Sequence, residues 1–327
     1  MELIRGLIGL RAHHRGCVAT IGNYDGVHLG HQQVLRELRQ QATSLGLPTT
    51  VITFEPTPQE FFLRANAPAR LSRLPEKLVQ LQAQGVDRVV VLHFNRMLAS
   101  MEPEDFIRRL LLEGLGVRHL VVGDDFRFGH QRRGDFALLE AWGRQHGFSV
   151  ERMSAYLYAD RRVSSSWVRE ALARQDLELA QQLLGQPYAM MGKVMRGDQL
   201  GRELGFPTAN LALRRLSSPL HGIYAVAVNG LAATPWPGVA SLGTRPTVDG
   251  RRWVLEVYLL DWQQDIYGRC LEVAFLQHLR NEEKYDTLAA LQHQIALDVT
   301  QARTYFQTHP LVADTPSAFI AGKKTRD

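Results

Sequence analysis

The sequence predicts an α/β chain of two unlike parts: a parallel sheet with helices on both faces, then a smaller antiparallel sheet or barrel carrying a terminal helix. Three observations predict it. The first half alternates short apolar runs with helical patterns, and beyond Gly185 apolar runs succeed one another with only Gly, Pro and Asp turns between them. The length of 327 residues also favours two domains over one. We therefore place one domain over residues 1–185, a second over 186–308 and a poorly ordered tail over 309–327.

Each element has its own signal. GCVATIG (16–22) is a strand, HQQVLRELRQQATSLG (31–46) has helical spacing and a Gly stop, and PTTVITF (48–54) is a strand again. PEKLVQLQAQG (75–85) is a helix opened by Pro, followed by the strand DRVVVLHF (87–94). PEDFIRRLLLEGLG (103–116) is a helix and VRHLVVG (117–123) a strand. Near-continuous apolar strands separated by helices are what a parallel sheet buried on both faces requires. Helical patterns at 135–146 and 164–184 close this half. In the second half GIYAVAVNG (222–230), WVLEVYLLD (253–261) and RCLEVAFLQHL (269–279) are strands, and KYDTLAALQHQIALDVTQARTYF (284–306) is the last helix.

Composition narrows the function. No apolar stretch approaches the ~18–20 residues of a membrane helix. The opening MELIRGLIGLRAHHRG breaks its apolar patch at Arg5 and Arg11, with no small-residue cleavage site after it. The expectation is a soluble cytoplasmic protein with no membrane partner. Cys17 and Cys270 stand far apart, outside any metal or redox spacing, so two buried thiols are expected. The net charge is +5, but the 38 Lys and Arg residues are scattered in ones and twos. That suits anionic small-molecule substrates and gives no arm or stripe that demands nucleic acid, so none is expected as a partner.

The stretch GNYDGVHLGH (22–31) joins the first strand to the first helix. In a parallel sheet that turn lies at the carboxyl end of the strands, where the helix N-terminus offers N–H groups to a phosphate. Gly22, Gly26 and Gly30 allow close backbone approach, and His28 and His31 can donate to phosphate oxygens and stabilise charge on a leaving pyrophosphate. Two histidines three apart could also be metal ligands or a solvated helix start. The combination of strand, glycines and His-x-Gly-His resembles the nucleotidyltransferase superfamily, whose members use direct in-line attack and no covalent nucleophile. The resemblance implies a Rossmann-like domain with Gly22, Asn23, Asp25 and Gly30 binding nucleotide and His28 and His31 acting on it. Asp25 would help position the nucleotide or its Mg²⁺, and an acid in a tight turn is as often a turn former.

VSSSWVREAL (163–172) looks like the Ser-Ser-x-x-x-Arg element of that superfamily: Ser164 and Ser165 would cap a helix while Arg169, one turn in, reaches the triphosphate. TFEPTPQEFF (53–62) and VVGDDFRFGHQRRGD (121–135) resemble the FMN adenylyltransferase module of bacterial riboflavin biosynthesis enzymes. In the second of these, Asp125 and Phe126 sit on a strand-end loop beside the expected ATP site. Arg127, Arg132 and Arg133 could equally be a solvated basic loop.

GKVMRGDQLGRELGFPTANL (192–211) is neither a Walker A nor a dinucleotide fingerprint. It reads either as a glycine-rich strand pair or as a loop wrapping phosphates, with Gly192, Gly197 and Gly201 giving backbone approach and Thr208 and Asn210 offering oxygen ligands to Mg²⁺. This segment resembles the riboflavin kinase module, as do SPLHGIYAV (218–226), SLGTRPTV (241–248), LEVYLLD (255–261) and IYGRCLEVAFLQHLRNEEKYD (266–286). That resemblance implies a small antiparallel barrel that phosphorylates the ribityl hydroxyl of riboflavin, with Glu256 as general base.

Together the resemblances cover residues 16 to about 303 and are to the bacterial bifunctional riboflavin kinase/FAD synthetase family. They imply two reactions: riboflavin and ATP give FMN, then FMN and a second ATP give FAD and pyrophosphate, with Mg²⁺ as cofactor. Tyr24 stands where Phe is usual, Ser166 where Thr is frequent and Tyr258 where His is common. Trp167, inside the serine–arginine element, either narrows the nucleotide site or packs outward. The rival readings are a kinase whose first domain is only scaffold, and a flavin- or nucleotide-binding regulator that contacts RNA.

Overall fold

A computed structural model describes residues 1–197, 201, 204–247 and 250–311. The tail from 312 onward lies outside them, as do 198–200, 202 and 203 of the glycine-rich segment. The described chain forms two compact units, residues 1–68 with 77–164, and residues 69–76 with 165–311.

The first unit is built on six parallel strands: β1 (Glu2–Arg5), β2 (Cys17–Ile21), β3 (Thr49–Phe54), β4 (Arg88–Leu92), β5 (Val117–Gly123) and β6 (Ser149–Met153), in the order β1-β4-β3-β2-β5-β6. The four strands read from the sequence are the four central ones. β2 is wholly buried because it has neighbours on both sides and helices on both faces, which is why its sequence runs apolar instead of alternating. β1 and β6 escaped the reading because they are edges. In β1 only Ile4 is buried, and in β6 no residue is, so neither carries an apolar run.

The helices of this unit are α1 (Leu29–Leu45), α2 (Pro58–Leu63), α3 (Leu74–Ala83, whose first turn groups with the second unit), α4 (Arg96–Ala99), α5 (Pro103–Phe106) and α6 (Phe136–His146). The helix expected over 103–116 is α5 followed by a wider π winding over Ile107–Gly114. α1 ends as its sequence implies, on Gly46 in the left-handed region at φ 63°. The main core lies between the sheet and these helices, with Ile52, Val90, Ile107, Leu111 and Leu120 at its centre. Each such side chain contributes about 1.5–3 kcal/mol by leaving water.

The second unit is a closed six-stranded antiparallel barrel, so the open choice between sheet and barrel falls to the barrel. After the small pair β7 (Leu157–Tyr158) and β8 (Arg161–Arg162), its strands are β9 (Ala189–Met195), β10 (Thr208–Ala212), β11 (Gly222–Asn229), β12 (Trp236–Thr247), β13 (Gly250–Leu259) and β14 (Cys270–Arg280), in the order β10-β13-β12-β11-β14-β9. The single helix expected over 164–184 is two, α7 (Ser165–Ala173) and α8 (Leu177–Leu184). Gln175 turns left-handed at φ 62° and the Asp176 carboxylate accepts from the Leu179 N–H, which stops one helix and starts the next. Both helices group with the barrel. Cys270 is exposed where β14 begins, against the expectation of two buried thiols; Cys17 is buried. No helix among the described residues is long and apolar enough to cross a membrane.

Residues 69–76 join this unit through a buried pair: Arg215 donates to the Glu76 carboxylate at 2.6 Å and to the carbonyl of Arg70 at 2.6 Å. The second carboxylate oxygen of Glu76 accepts from the Met191 N–H at 2.9 Å. The final helix, α9 (Leu288–Thr308), begins later than its pattern because Thr287 caps it. It lies on the outside of the barrel, with Val299 and Ala302 against Ile223, Ala225 and Val239. Arg280 of β14 grips the buried Asp298 of α9 with two bonds of 2.8 Å. Asp298→Ala leaves that guanidinium without its carboxylate and should lower stability by about 2–4 kcal/mol, read from urea unfolding followed by α9 and barrel amide exchange.

Candidate active sites

In the first unit the chain runs from β2 out through β3 and β4 on one side, then crosses to β5 and β6 on the other. The turn after β2 therefore stands at the point where the strand order reverses, the usual ligand crevice of an open α/β sheet. That turn is the Gly22–His31 segment. Tyr24, Gly26 and Val27 all lie in the left-handed region, at φ 48°, 85° and 43°. A β-branched residue there costs on the order of 1–3 kcal/mol and persists only where surroundings enforce it.

The surroundings do so along much of the turn. The Gly22 N–H donates to Ile52 at 3.0 Å, the Thr53 hydroxyl to the Asn23 carbonyl at 3.3 Å and the Gln32 amide to the Val27 carbonyl at 2.9 Å. The Tyr24 ring is buried and its hydroxyl meets that of Thr20 at 2.7 Å, so the extra oxygen at this position is satisfied internally. Burial holds that phenol well above its ordinary range. Asp25 is buried on the same turn.

His28 caps α1, its Nδ1 accepting the His31 N–H at 3.4 Å. The two imidazoles are stacked, with centroids 3.7 Å apart and planes 21° from parallel. Gly30 keeps the space between them open: a Cβ there would stand 3.3 Å from the His28 ring and 3.3 Å from the carbonyl of Val163, a tight fit for any side chain. His31 is pushed well below the usual imidazole range, first by burial, then by His28 and by the charge of Lys77. Its Nδ1 is buried without a hydrogen-bond partner among the described residues.

On the loop after β5, Arg162 bridges Asp124 at 2.8 Å and Asp125 at 2.9 Å. Phe126 stacks on Phe128 and packs against the core. Of the basic loop residues, Arg127 pairs with Asp135 and Arg133 with Glu102. Ser164 closes the first unit, while Ser165 and Arg169 belong to the second on α7, where Arg169 Nε donates to the Ala69 carbonyl at 2.6 Å. Trp167 is buried on the apolar face of α7 with Val168, Ala171 and Leu172, so it does not pack outward.

In the barrel, strand register assembles the second set. Asn210 on β10 faces Glu256 on β13, Thr208 faces Tyr258, and Ser241 on β12 flanks Glu256 on its other side. Leu255, Val257 and Leu259 alternate with these residues and fill the interior, which places Glu256, Asn210 and Thr208 together on the outer face. The Arg245 guanidinium donates to Glu256 at 2.7 Å. A Cβ at Gly197 would overlap the Asn210 side chain, and one at Gly201 would stand 2.5 Å from the Phe206 carbonyl and 3.2 Å from the Thr208 hydroxyl. Gly192 lies in β9, where a Cβ would meet that of Leu211 at 2.8 Å.

Three further features were not among the sequence expectations. The Glu282 carboxylate occupies the place a Cβ of Gly243 would take, two positions along β12 from Ser241; burial and the nearby Glu256 push it above the usual carboxylate range against His221 and Arg280. Phe54, Phe61, Phe62 and Phe94 form an edge-to-face cluster with centroids 5.1–5.8 Å apart, and Phe62 is exposed. The FF pair of Phe61 and Phe62 hints at it, but Phe94 joins only through the fold. The third is Lys77, wholly buried on α3.

Comparison with known proteins follows the two halves. The FAD synthetase family matches residues 10–167 and the riboflavin kinase family residues 184–306. The chain is 49% identical over 307 residues to the bifunctional riboflavin kinase/FMN adenylyltransferase of Escherichia coli K12, covering 94% of this chain and 98% of that one. It is 50% identical to the protein of the same name from Pseudomonas fluorescens, over 93% and 97%. A crystal structure of a macrolide-efflux protein from Streptococcus pneumoniae is 27% identical and superposes with a TM-score of 0.80, covering 93% of this chain and 99% of that one.

Folded His31 resists a proton that the unfolded chain accepts near pH 6.5. Its contribution is therefore intact above that pH and is lost as pH falls toward the depressed folded value. Between about pH 7.5 and 5 the wild-type urea midpoint should fall further than that of His31→Gln; equal slopes would contradict the buried neutral imidazole.

Proposed function

The chain belongs to the bacterial bifunctional riboflavin kinase/FMN adenylyltransferase family, and from that premise we propose how its residues divide the two reactions. It phosphorylates riboflavin to FMN and joins FMN to an adenylyl group to give FAD. The work is proposed to be split between a cytoplasmic enzyme's two modules, residues 1–185 for adenylyl transfer and 186–308 for the kinase, with ATP as donor in both.

For the kinase, Glu256 takes the proton of the ribityl hydroxyl as its oxygen attacks the γ-phosphorus, and ADP leaves. Arg245 orients the carboxylate, whose remaining lone pairs stay available to the hydroxyl. Thr208 and Asn210 are the residues that would hold Mg²⁺: a hydroxyl and an amide carbonyl are hard oxygen donors, and Mg²⁺ commonly takes few protein ligands beside phosphates and water. When bound, the ion supplies charge neutralisation across the phosphates. Gly197 and Gly201 pass close to the Asn210 and Thr208 side chains. The cross-strand pair of Asn210 and Glu256 carries this reading, because it sets a base and an oxygen ligand side by side on one face.

For adenylyl transfer, the FMN phosphate is already an anion and attacks the α-phosphorus without a base. Positioning and charge stabilisation do the rest. His28 and His31 donate to the phosphates; Gly22, Asn23, Asp25 and Gly30 shape the turn that receives them, and Asp125 and Phe126 line the loop side. The exposed Phe62 cluster offers a stacking face to the flavin ring.

The test is a time course with riboflavin, ATP and Mg²⁺, flavins separated by chromatography. His28→Ala or His31→Ala should stop at FMN, losing at least about a hundredfold in FAD formation. Glu256→Ala should make FAD from supplied FMN but no FMN from riboflavin. Equal loss of both activities in either variant would refute the division.

A further inference from the structure

Lys77 takes no part in the chemistry above, yet it is among the largest wholly buried side chains of the protein, 1% exposed. Lysine is almost never fully buried, because its ammonium gives up strong hydration. A methionine of similar length would fill the same space without that cost, and replacing buried charge by apolar packing is often stabilising. Packing alone therefore does not account for a lysine here.

Its surroundings do. The Lys77 Nζ donates to the Thr53 hydroxyl at 3.4 Å, at the carboxyl end of β3. That hydroxyl, itself wholly buried, donates to the Asn23 carbonyl at 3.3 Å. A chain of donors thus runs from α3 into the strained turn that presents His28 and His31. The titratable groups facing His31 are His28 at the cap of α1, Tyr24 on the turn and Lys77 from α3. The lysine adds to burial and to His28 in keeping a proton off His31, so the imidazole stays neutral. A neutral imidazole that donates, with fixed charge behind it, costs no reorganisation when charge develops on a leaving group.

We propose that Lys77 is a positioning residue for adenylyl transfer: an ammonium that substrate never touches, which holds the signature turn through Thr53 and supplies fixed positive charge behind His28 and His31. This rests on the reading that His28 and His31 meet the phosphates.

Lys77→Met removes the charge at nearly constant volume. Its kcat for FAD formation should fall at least about tenfold while KM for FMN moves less than about threefold. Riboflavin phosphorylation by the same preparation should be unchanged, and His31, followed by long-range ¹H–¹⁵N spectra, should take up its proton at higher pH than in the wild type. Lys77→Arg, run beside it, keeps the charge but not the shape and should recover the low-pH titration of His31 better than the rate. His31→Gln tests the premise separately: full FAD synthesis by that variant sinks the placement of the phosphates, whatever Lys77 does. With His31→Gln impaired, a Lys77→Met enzyme that makes FAD within about twofold of wild type, or whose His31 titration has not moved, overturns the proposal. Should Lys77→Met lose both activities by misfolding, Thr53→Val decides, since it cuts the donor chain and keeps the charge; a wild-type rate of FAD formation there overturns the proposal as well.

Discussion

A Cβ at Gly30 would stand 3.3 Å from the His28 ring and from the Val163 carbonyl; one at Gly197 would overlap the Asn210 amide. Both sites depend on this close approach of backbone to a functional side chain. In the first unit it lets two imidazoles stack at the N-terminus of α1, so that ring orientation is set by packing. In the barrel it sets Gly197 against the Asn210 side chain and Gly201 against the Phe206 carbonyl and the Thr208 hydroxyl. The glycines thus act by leaving out the atom that would crowd the neighbouring side chain.

Around these approaches the protein places charge according to solvation. Glu76 and Arg215 are buried together and satisfied by backbone groups as well as by each other, and Arg280 and Asp298 fasten α9 to the barrel in the same manner. The exposed pairs, Arg127 with Asp135 or Arg303 with Asp261, stand in water and are worth little individually. Lys77 is wholly buried as well, and its ammonium meets the Thr53 hydroxyl beside the signature turn. The histidine pair follows the same rule from the other side: a buried stacked imidazole beside an ammonium is neutral because desolvation and repulsion act in one direction.

Local pattern sufficed for the four central strands, because a strand covered on both faces has to be apolar along its length. It failed at β1 and β6, which are sheet edges with mixed exposure, and at residues 164–184, where a single left-handed residue, Gln175, divides one helical pattern into two. Motif reading reached His28, His31, Thr208, Asn210 and Glu256 through a family resemblance that the matched relatives now support for the activity as a whole. The same reading could not see the Glu282 carboxylate against Gly243 or the Phe54–Phe94 cluster, whose members are joined by strand order and not by spacing.

The sequence by itself determined the class of each half and, through its family resemblance, the two activities, since these are carried by short contiguous patterns that can be read without the fold. Tertiary structure alone decided which groups share a face or a burial. Glu256 looks like a surface residue in an alternating strand until the register of β10 and β13 sets it beside Asn210, and Lys77 looks like an ordinary helix lysine until α3 packs it beneath Thr53. Burial and cross-strand register are properties of the whole sheet or barrel, so no local window of residues contains them.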